Sequence, residues 1–284
     1  MTAALPGARS CTLPMDAGSL PFKEGVEFLW LGQSGFLISV DGVLVLLDAY
    51  LSNYLVEQAE AVGLPFSHER MMDSPLDESV LKVLDYVLIT HGHEDHLDPD
   101  LIRRLPALNP DLVYLIPPGC LAQMEALKVP RKQIRLLPPG EIHHITDQFQ
   151  IEGFPAAHPK PQFDPEKTWA LSFQLTLKGK SLFFAGDTTL YPELIDWLAE
   201  KSFDLLVLPV NGRTPELEAK GIVGNMKFEE ALILALQLDA PLMGTHFGMF
   251  AFNTADTGEM ARLVESYRMD HRVLFSESGT VYTI

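Results

Sequence analysis

Six consecutive residues, His91-Gly92-His93-Glu94-Asp95-His96, place three imidazoles and two carboxylates directly behind the apolar run Val83-Leu84-Asp85-Tyr86-Val87-Leu88-Ile89-Thr90. Such groups are costly to bury unless paired or bound to a cation. Any compact fold of this chain must therefore deliver that strand end to a polar focus. His91 and His93 are two apart and point the same way on extended backbone. Asp95 and His96 follow in the turn, so one short loop can feed two neighbouring ions. Imidazole nitrogen and carboxylate oxygen together, without thiolate, suit zinc and also permit manganese or iron.

Further donors are needed, and the best candidates share a setting just past an apolar run. His158 follows Phe154-Pro155-Ala156-Ala157, Asp187 follows Leu182-Phe183-Phe184-Ala185-Gly186, and His246 follows Leu242-Met243-Gly244-Thr245. In layered α/β folds the ends of neighbouring strands form the natural site. With His91, His93, Asp95 and His96 these make seven candidates. That exceeds the usual four ligands of one zinc ion, so two divalent ions fit better. Glu94 reads as solvent-facing or as a support for the loop. His68, His143, His144 and His271 lack the setting and read as peripheral.

Elsewhere the pattern is strand-rich early and alternating later. Residues 1–24, with several Pro, Gly and small residues, read as an irregular arm before a catalytic domain over 25–284. Strands are predicted at 27–31, 36–40 and 43–47, with Asp41-Gly42 as a hairpin turn. Residues 51–80 are mixed, and 83–89 is a strand with both faces covered. Asp98 and Pro99 suit the N-cap and first position of a helix ending before Pro106. Residues 112–116 form a strand and 120–127 a short helix; 141–155, 168–177 and 181–185 are strand-rich. Then helices at 192–199, 228–238 and 257–267 alternate with strands at 203–210, 241–245 and 272–275. Strands first, then strands alternating with helices, imply two packed sheets with helices outside.

Composition narrows the partners. The chain has 284 residues, 47% of them apolar, so it can build a substantial core. A net charge of −17 argues against a nucleic-acid polymer or an anionic membrane as the main partner. Only Cys11 and Cys120 are present, which favours a reducing compartment over a disulfide framework. No leader-like segment or spanning apolar run is evident, so a soluble cytoplasmic protein is expected. Apolar faces on the later helices could support a homo-oligomer.

The cluster matches the His-x-His-x-Asp-His signature, and in this the chain resembles the metallo-β-lactamase superfamily. His91, His93, Asp95 and His96 occupy the signature positions, and His158, Asp187 and His246 match the later ligands in order. The resemblance implies an αββα four-layer sandwich. It further implies that His91, His93 and His158 hold one ion, that Asp95, His96 and His246 hold the second, and that Asp187 bridges them. Asp95 and Asp187 are then catalytic as ligands, with any general-base role for Asp95 open. The implied chemistry is attack on a carbonyl or phosphoryl centre by a water deprotonated between the two cations.

Within the superfamily the chain is similar to the L-ascorbate-6-phosphate lactonase branch. The likeness lies in Trp30-Leu31-Gly32-Gln33-Ser34-Gly35-Phe36, Phe184-Ala185-Gly186-Asp187-Thr188, Leu208-Pro209-Val210-Asn211-Gly212-Arg213 and Gly224-Asn225-Met226. This implies opening of a small anionic substrate, a phosphorylated sugar lactone, and nudges the metal toward manganese. Arg213 is the candidate cation for the anion, with Asn211 and Asn225 as hydrogen-bonding partners. Each of the three also suits a structural or turn role. A phosphodiesterase acting on a small nucleotide, other hydrolysis, and a non-enzymatic metal-binding protein are the rival readings.

Overall fold

The computed structural model describes residues 5–63 and 66–284. The first half builds β1 (Gly7–Ser10), β2 (Val26–Gly32), β3 (Gly35–Val40), β4 (Val43–Leu47), β5 (Tyr86–Leu88), β6 (Val113–Ile116) and β7 (Ile134–Leu136). Helices α1 (Tyr54–Val62), α2 (Glu78–Leu81), α3 (Pro99–Leu108) and α4 (Leu121–Ala126) lie between them. The second half builds β8 (Ile142–Thr146), β9 (Phe149–Pro155), β10 (Leu171–Leu177), β11 (Lys180–Phe184), β12 (Leu205–Pro209), β13 (Leu242–Thr245) and β14 (Val273–Phe275). Its helices are α5 (Pro192–Ala199), α6 (Pro215–Glu218), α7 (Phe228–Gln237) and α8 (Thr257–Tyr267), and β15 (Thr280–Thr283) closes the chain.

The strands form two sheets, ordered β1-β15-β2-β3-β4-β5-β6-β7 and β14-β13-β12-β11-β10-β9-β8. Alternation along each strand explains why they stack. On β2, Phe28 and Trp30 enter the core between the sheets, whereas Leu29 and Leu31 face the core beneath α3. On β12, Leu205 and Val207 point inward, and Leu206 and Leu208 meet the core that includes Leu232 of α7 and Val264 of α8. Both faces are apolar, so helices must cover each outer face, which gives four layers α/β/β/α. This is the sandwich expected from the sequence.

Strands β4 to β7 run parallel, as do β11 to β14. Parallel strands bring their carboxyl ends to one edge. Asp48, His91, Asp187 and His246 each lie within three residues of the carboxyl end of such a strand, and this edge builds the site.

Several local expectations are corrected. The arm is not wholly irregular: β1 pairs antiparallel with β15, and Arg9 grips the buried Glu27 of β2 through two hydrogen bonds of 2.5 and 2.9 Å. Neither α1 nor β15 was legible from periodicity. Helix α3 runs through Pro106 to Leu108. A mid-helix proline costs about 3 kcal/mol, but Leu101, Ile102 and Leu105 are all buried on that helix. Burial of each such side chain contributes about 1.5–3 kcal/mol, so packing outweighs the lost bond. Asp98 caps the helix as expected, accepting from Asp100 and Leu101 N–H. Among the described residues no helix is long and apolar enough to cross a membrane.

Candidate metal centre

Two groups of donor atoms converge at the strand-end edge: His91, His93 and His158, and Asp95, His96 and His246, each with its atoms within 4.8 Å of one another. In the first group His93 Nδ1 lies 3.0 Å from both His91 Nε2 and His158 Nε2. In the second, Asp95 Oδ2 is 3.7 Å from both His96 Nε2 and His246 Nε2. Asp187 stands between them. Its Oδ1 is 3.2 Å from His96 Nε2, and its Oδ2 is 3.1 Å from His246 Nε2 and 3.7 Å from His158 Nε2. All seven sequence-predicted donors are thus brought together.

The protonation pattern of the rings follows from a residue that the sequence reading passed over. Asp48, fully buried after β4, accepts from Thr90 N–H at 2.8 Å, from the Thr90 hydroxyl and from His96 Nδ1 at 2.8 Å. His96 therefore carries a proton on Nδ1 and directs its Nε2 toward Asp95 and Asp187. Because the Thr90 hydroxyl donates to Asp48, it accepts from His91 Nδ1 at 3.0 Å. That leaves the His91 Nε2 lone pair facing His93 and His158. One carboxylate thus sets two ligand tautomers, the usual task of residues behind a metal's own ligands. Asp48, His91 and His96 also form a close trio, but the carboxylate oxygens of Asp48 are already committed to donors.

Gln33 was missed as well. Its Nε2 donates to Asp95 Oδ2 at 2.8 Å and lies 3.2 Å from His246 Nε2. Its carbonyl accepts from Trp30 Nε1, Thr245 Oγ1 and His246 N–H. The turn between β2 and β3 therefore fixes His246. A usable signal existed for Asp48: it ends an apolar run, as Asp187 does. For Gln33 the signals were its place in a turn and in the Trp30–Phe36 segment of the lactonase likeness, neither of which points to a donor.

The donor set fits divalent cations. His96 Nε2 and Asp187 Oδ1 are buried 3.2 Å apart with no other polar partner, and both point into the focus. Burial, reinforced by the neighbouring imidazoles of His96 and His158, holds His91 well below the usual imidazole range. Burial likewise brings His158 down to about 4. Both rings are therefore neutral and ready to donate lone pairs. Burial raises the Asp187 carboxyl, yet His246 and His96 outweigh it and hold it well below the ordinary value. Burial lowers His96, but Asp187, Asp95 and Asp48 outweigh it and hold that ring well above the usual imidazole range, so a cation bound there would take the place of its Nε2 proton. Neutral His91 and His158 beside an ionised, shared carboxylate complete the donor chemistry of a two-cation site.

A cavity of about 170 Å³ opens over this floor. Its walls include Leu55, Ile222, Val223, Phe250 and Phe252, with His68, Glu94 and Asn253 as polar members outside the clusters. Glu94 thus lines the cavity, and so does His68, which the sequence placed at the periphery. No Lys or Arg is among the described lining residues. Arg213 lies elsewhere: its guanidinium makes two 2.7 Å bonds to Glu230 and one of 3.0 Å to the Asn225 carbonyl. It lines a neighbouring cavity, sharing only the 221–223 wall with this one. Asn225 is fully buried and Asn211 lies behind the lining, so none of the three sequence-predicted substrate contacts reaches the metal-site cavity.

A family profile described as "Beta-lactamase superfamily domain" matches residues 44–247, well over half of the chain, and the protein belongs to that superfamily. An uncharacterized protein of Mycobacterium tuberculosis is 27% identical over 253 residues, 85% of this chain and 64% of the relative. The mitochondrial N-acyl-phosphatidylethanolamine-hydrolyzing phospholipase D of Saccharomyces cerevisiae is 27% identical over 244 residues, 79% of this chain and 48% of the relative. The chain thus spans less than two thirds of the length of these curated relatives. Igni18, a metallo hydrolase of the archaeon Ignicoccus hospitalis, shares the fold with a TM-score of 0.64 at 23% identity, over 91% of this chain and 99% of that one. Fold and clusters together define a candidate two-metal site on a fold of this superfamily.

Proposed function

We infer that this chain is a metal-dependent hydrolase of an ester that carries an apolar arm. The observation behind this reading is the junction of two donor groups through Asp187, at the floor of a cavity whose walls include five apolar side chains and, among the described residues, no Lys or Arg. His91, His93 and His158 would hold one ion, Asp95, His96 and His246 the second, and Asp187 would be shared. Zinc and manganese both suit these donors. Held there, such ions supply Lewis acidity, acidifying water and polarising the scissile oxygen.

The chain's own residues do the rest. Asp48 and Thr90 hold His91 and His96 in the tautomers that face the focus. Gln33 holds Asp95 and His246 in register. Phe250, Phe252, Leu55, Ile222 and Val223 shield the floor from bulk water and offer an apolar surface to the substrate. With Glu94 in the lining, the walls favour a neutral or apolar arm over a second anionic group.

A phosphorylated sugar lactone is supported by the sequence likeness to the lactonase branch, but the cation it would need, Arg213, is engaged by Glu230. A phosphodiester is a second reading, favoured by the similarity to a phospholipase D and by the same apolar walls. The test is a panel on protein stripped of metal and reloaded with zinc or manganese: p-nitrophenyl octanoate, bis-p-nitrophenyl phosphate and a phosphorylated sugar lactone. Metal-dependent turnover, fastest on the octanoyl ester, is expected. Fastest turnover of the phosphate or the lactone would move the assignment to that class, and no metal-dependent turnover at all would overturn it.

A further inference from the structure

Three amide side chains run in series from the core to the metal-site cavity. Asn225, fully buried, donates from Nδ2 to Asn211 Oδ1 at 3.1 Å. Asn211, just past β12, donates from Nδ2 to Asn253 Oδ1 at 2.7 Å. Asn253 lines the cavity. With its Oδ1 committed to Asn211, Asn253 has its Nδ2 donor left for the cavity. An amide in a loop ordinarily turns over freely, whereas this one is oriented from behind.

A second polar group lies close by. The ring of His68 packs edge-on against Phe252, with centroids 4.8 Å apart, and Phe252 is the chain neighbour of Asn253. His68 is 8% exposed, and its Nδ1 lies 3.2 Å from the Phe66 carbonyl oxygen. A carbonyl can only accept, so Nδ1 carries a proton, and in the neutral ring Nε2 offers a lone pair. Neither residue belongs to the two donor groups. Asn253 presents a donor and neutral His68 an acceptor, and both residues line the cavity beside Phe252.

We propose that Asn253 and His68 form a hydroxyl-reading pair, polarised by the Asn225–Asn211 relay, which selects esters bearing a hydroxyl beside the scissile group. A hydroxyl satisfies both at once, donating to His68 Nε2 and accepting from Asn253 Nδ2. A methyl group in its place would leave both unpaired in the cavity wall. A site built to bond a hydroxyl discriminates far more strongly than one sensing a methylene. The relay can be reversed from its inner end, because Asn225 Oδ1 is buried without a partner. A carboxylate at position 225 accepts only, so Asn211 and then Asn253 must turn over. Asn253 would then offer a second acceptor to a hydroxyl that has one proton.

The substrate pair that tests this is 2-hydroxyethyl octanoate against propyl octanoate, equal in size and differing in the hydroxyl. The metal-loaded wild type should prefer the hydroxyl ester in kcat/KM by at least about tenfold. His68→Ala, Asn253→Ala and Asn225→Asp should each bring that ratio toward one, mainly through KM for the hydroxyl ester, with metal content unchanged. Equal use of both esters by the wild type, or variants that slow both esters alike, would overturn the pair. The hydrolase reading enters only through turnover. Should neither ester be hydrolysed, that reading fails, and calorimetric binding of the same two esters decides the pair by the same ratio. If Asn225→Asp does not fold, the two cavity variants decide.

Discussion

Asp187 is the side chain on which both donor groups depend, because its Oδ1 faces His96 while its Oδ2 faces both His246 of the same group and His158 of the other. Asp187→Ala should drop metal content below two ions per chain and lower metal-dependent hydrolysis by at least about 100-fold, with circular dichroism unchanged. Two tightly held ions in that variant would show that the carboxylate is not shared. Asp48 acts one step further back. Its replacement by Asn offers N–H where Thr90 and His96 already donate, so the imidazole orientations slip. Asp48→Asn should weaken metal binding about 10- to 100-fold in a chelator competition; unchanged affinity would reduce Asp48 to a packing role. Arg213 is a different case. Its fork holds Glu230 and the Asn225 backbone, so Arg213→Ala should lower the melting temperature rather than alter KM selectively for anionic substrates. A KM effect confined to anions, with stability intact, would return Arg213 to the substrate.

At the level of elements, the parallel strands β4, β5, β11 and β13 carry their donors to one edge only if the sheets approach closely there. Gly186 marks the contact. It has φ +58°, and a Cβ on it would lie 2.8 Å from Thr90 Cβ. Gly186→Ala should push Thr90 away from His91 and Asp48, reducing metal affinity more than secondary structure; an unaffected metal titration would count against this. The arm is held by a different device. Burial raises the Glu27 carboxyl, but hydrogen bonds from Arg9, Lys23 N–H and Thr283 outweigh it and keep its pKa below the ordinary value. Its stabilising effect is therefore full above the unfolded carboxylate range and lost as pH falls through the lower, folded value. Glu27→Gln should flatten that part of the acid unfolding curve. A curve with the wild-type acid limb would exclude Glu27 as its source.

For the molecule as a whole, the donor cluster is a concentration of buried polar groups that cations would relieve. Ions that bind the folded state stabilise it by mass action, about 2.7 kcal/mol per site at 100 times Kd. Chelation should therefore lower the melting temperature by several degrees, and reloading should restore it. Equal melting with and without metal would show that the folded protein does not hold the ions.

The sequence by itself determined the layers and the donor residues that converge at the strand-end edge. Apolar runs with two covered faces require helices on both sides of paired sheets, and strand-end donors such as His91, Asp187 and His246 are legible because each follows such a run. Periodicity could not reveal β1 and β15, whose strand character comes from pairing across nearly the whole chain, nor the passage of α3 through Pro106, which depends on its packing. What only the tertiary structure decided is how the donors are aimed and what the cavity offers. Hydrogen bonds between residues far apart in sequence are invisible to spacing. Asp48 reaches His96, Gln33 reaches His246, and Glu230 takes the guanidinium of Arg213. The same long-range bonding turns Asn211 and Asn225 into supports and leaves Asn253 facing the cavity.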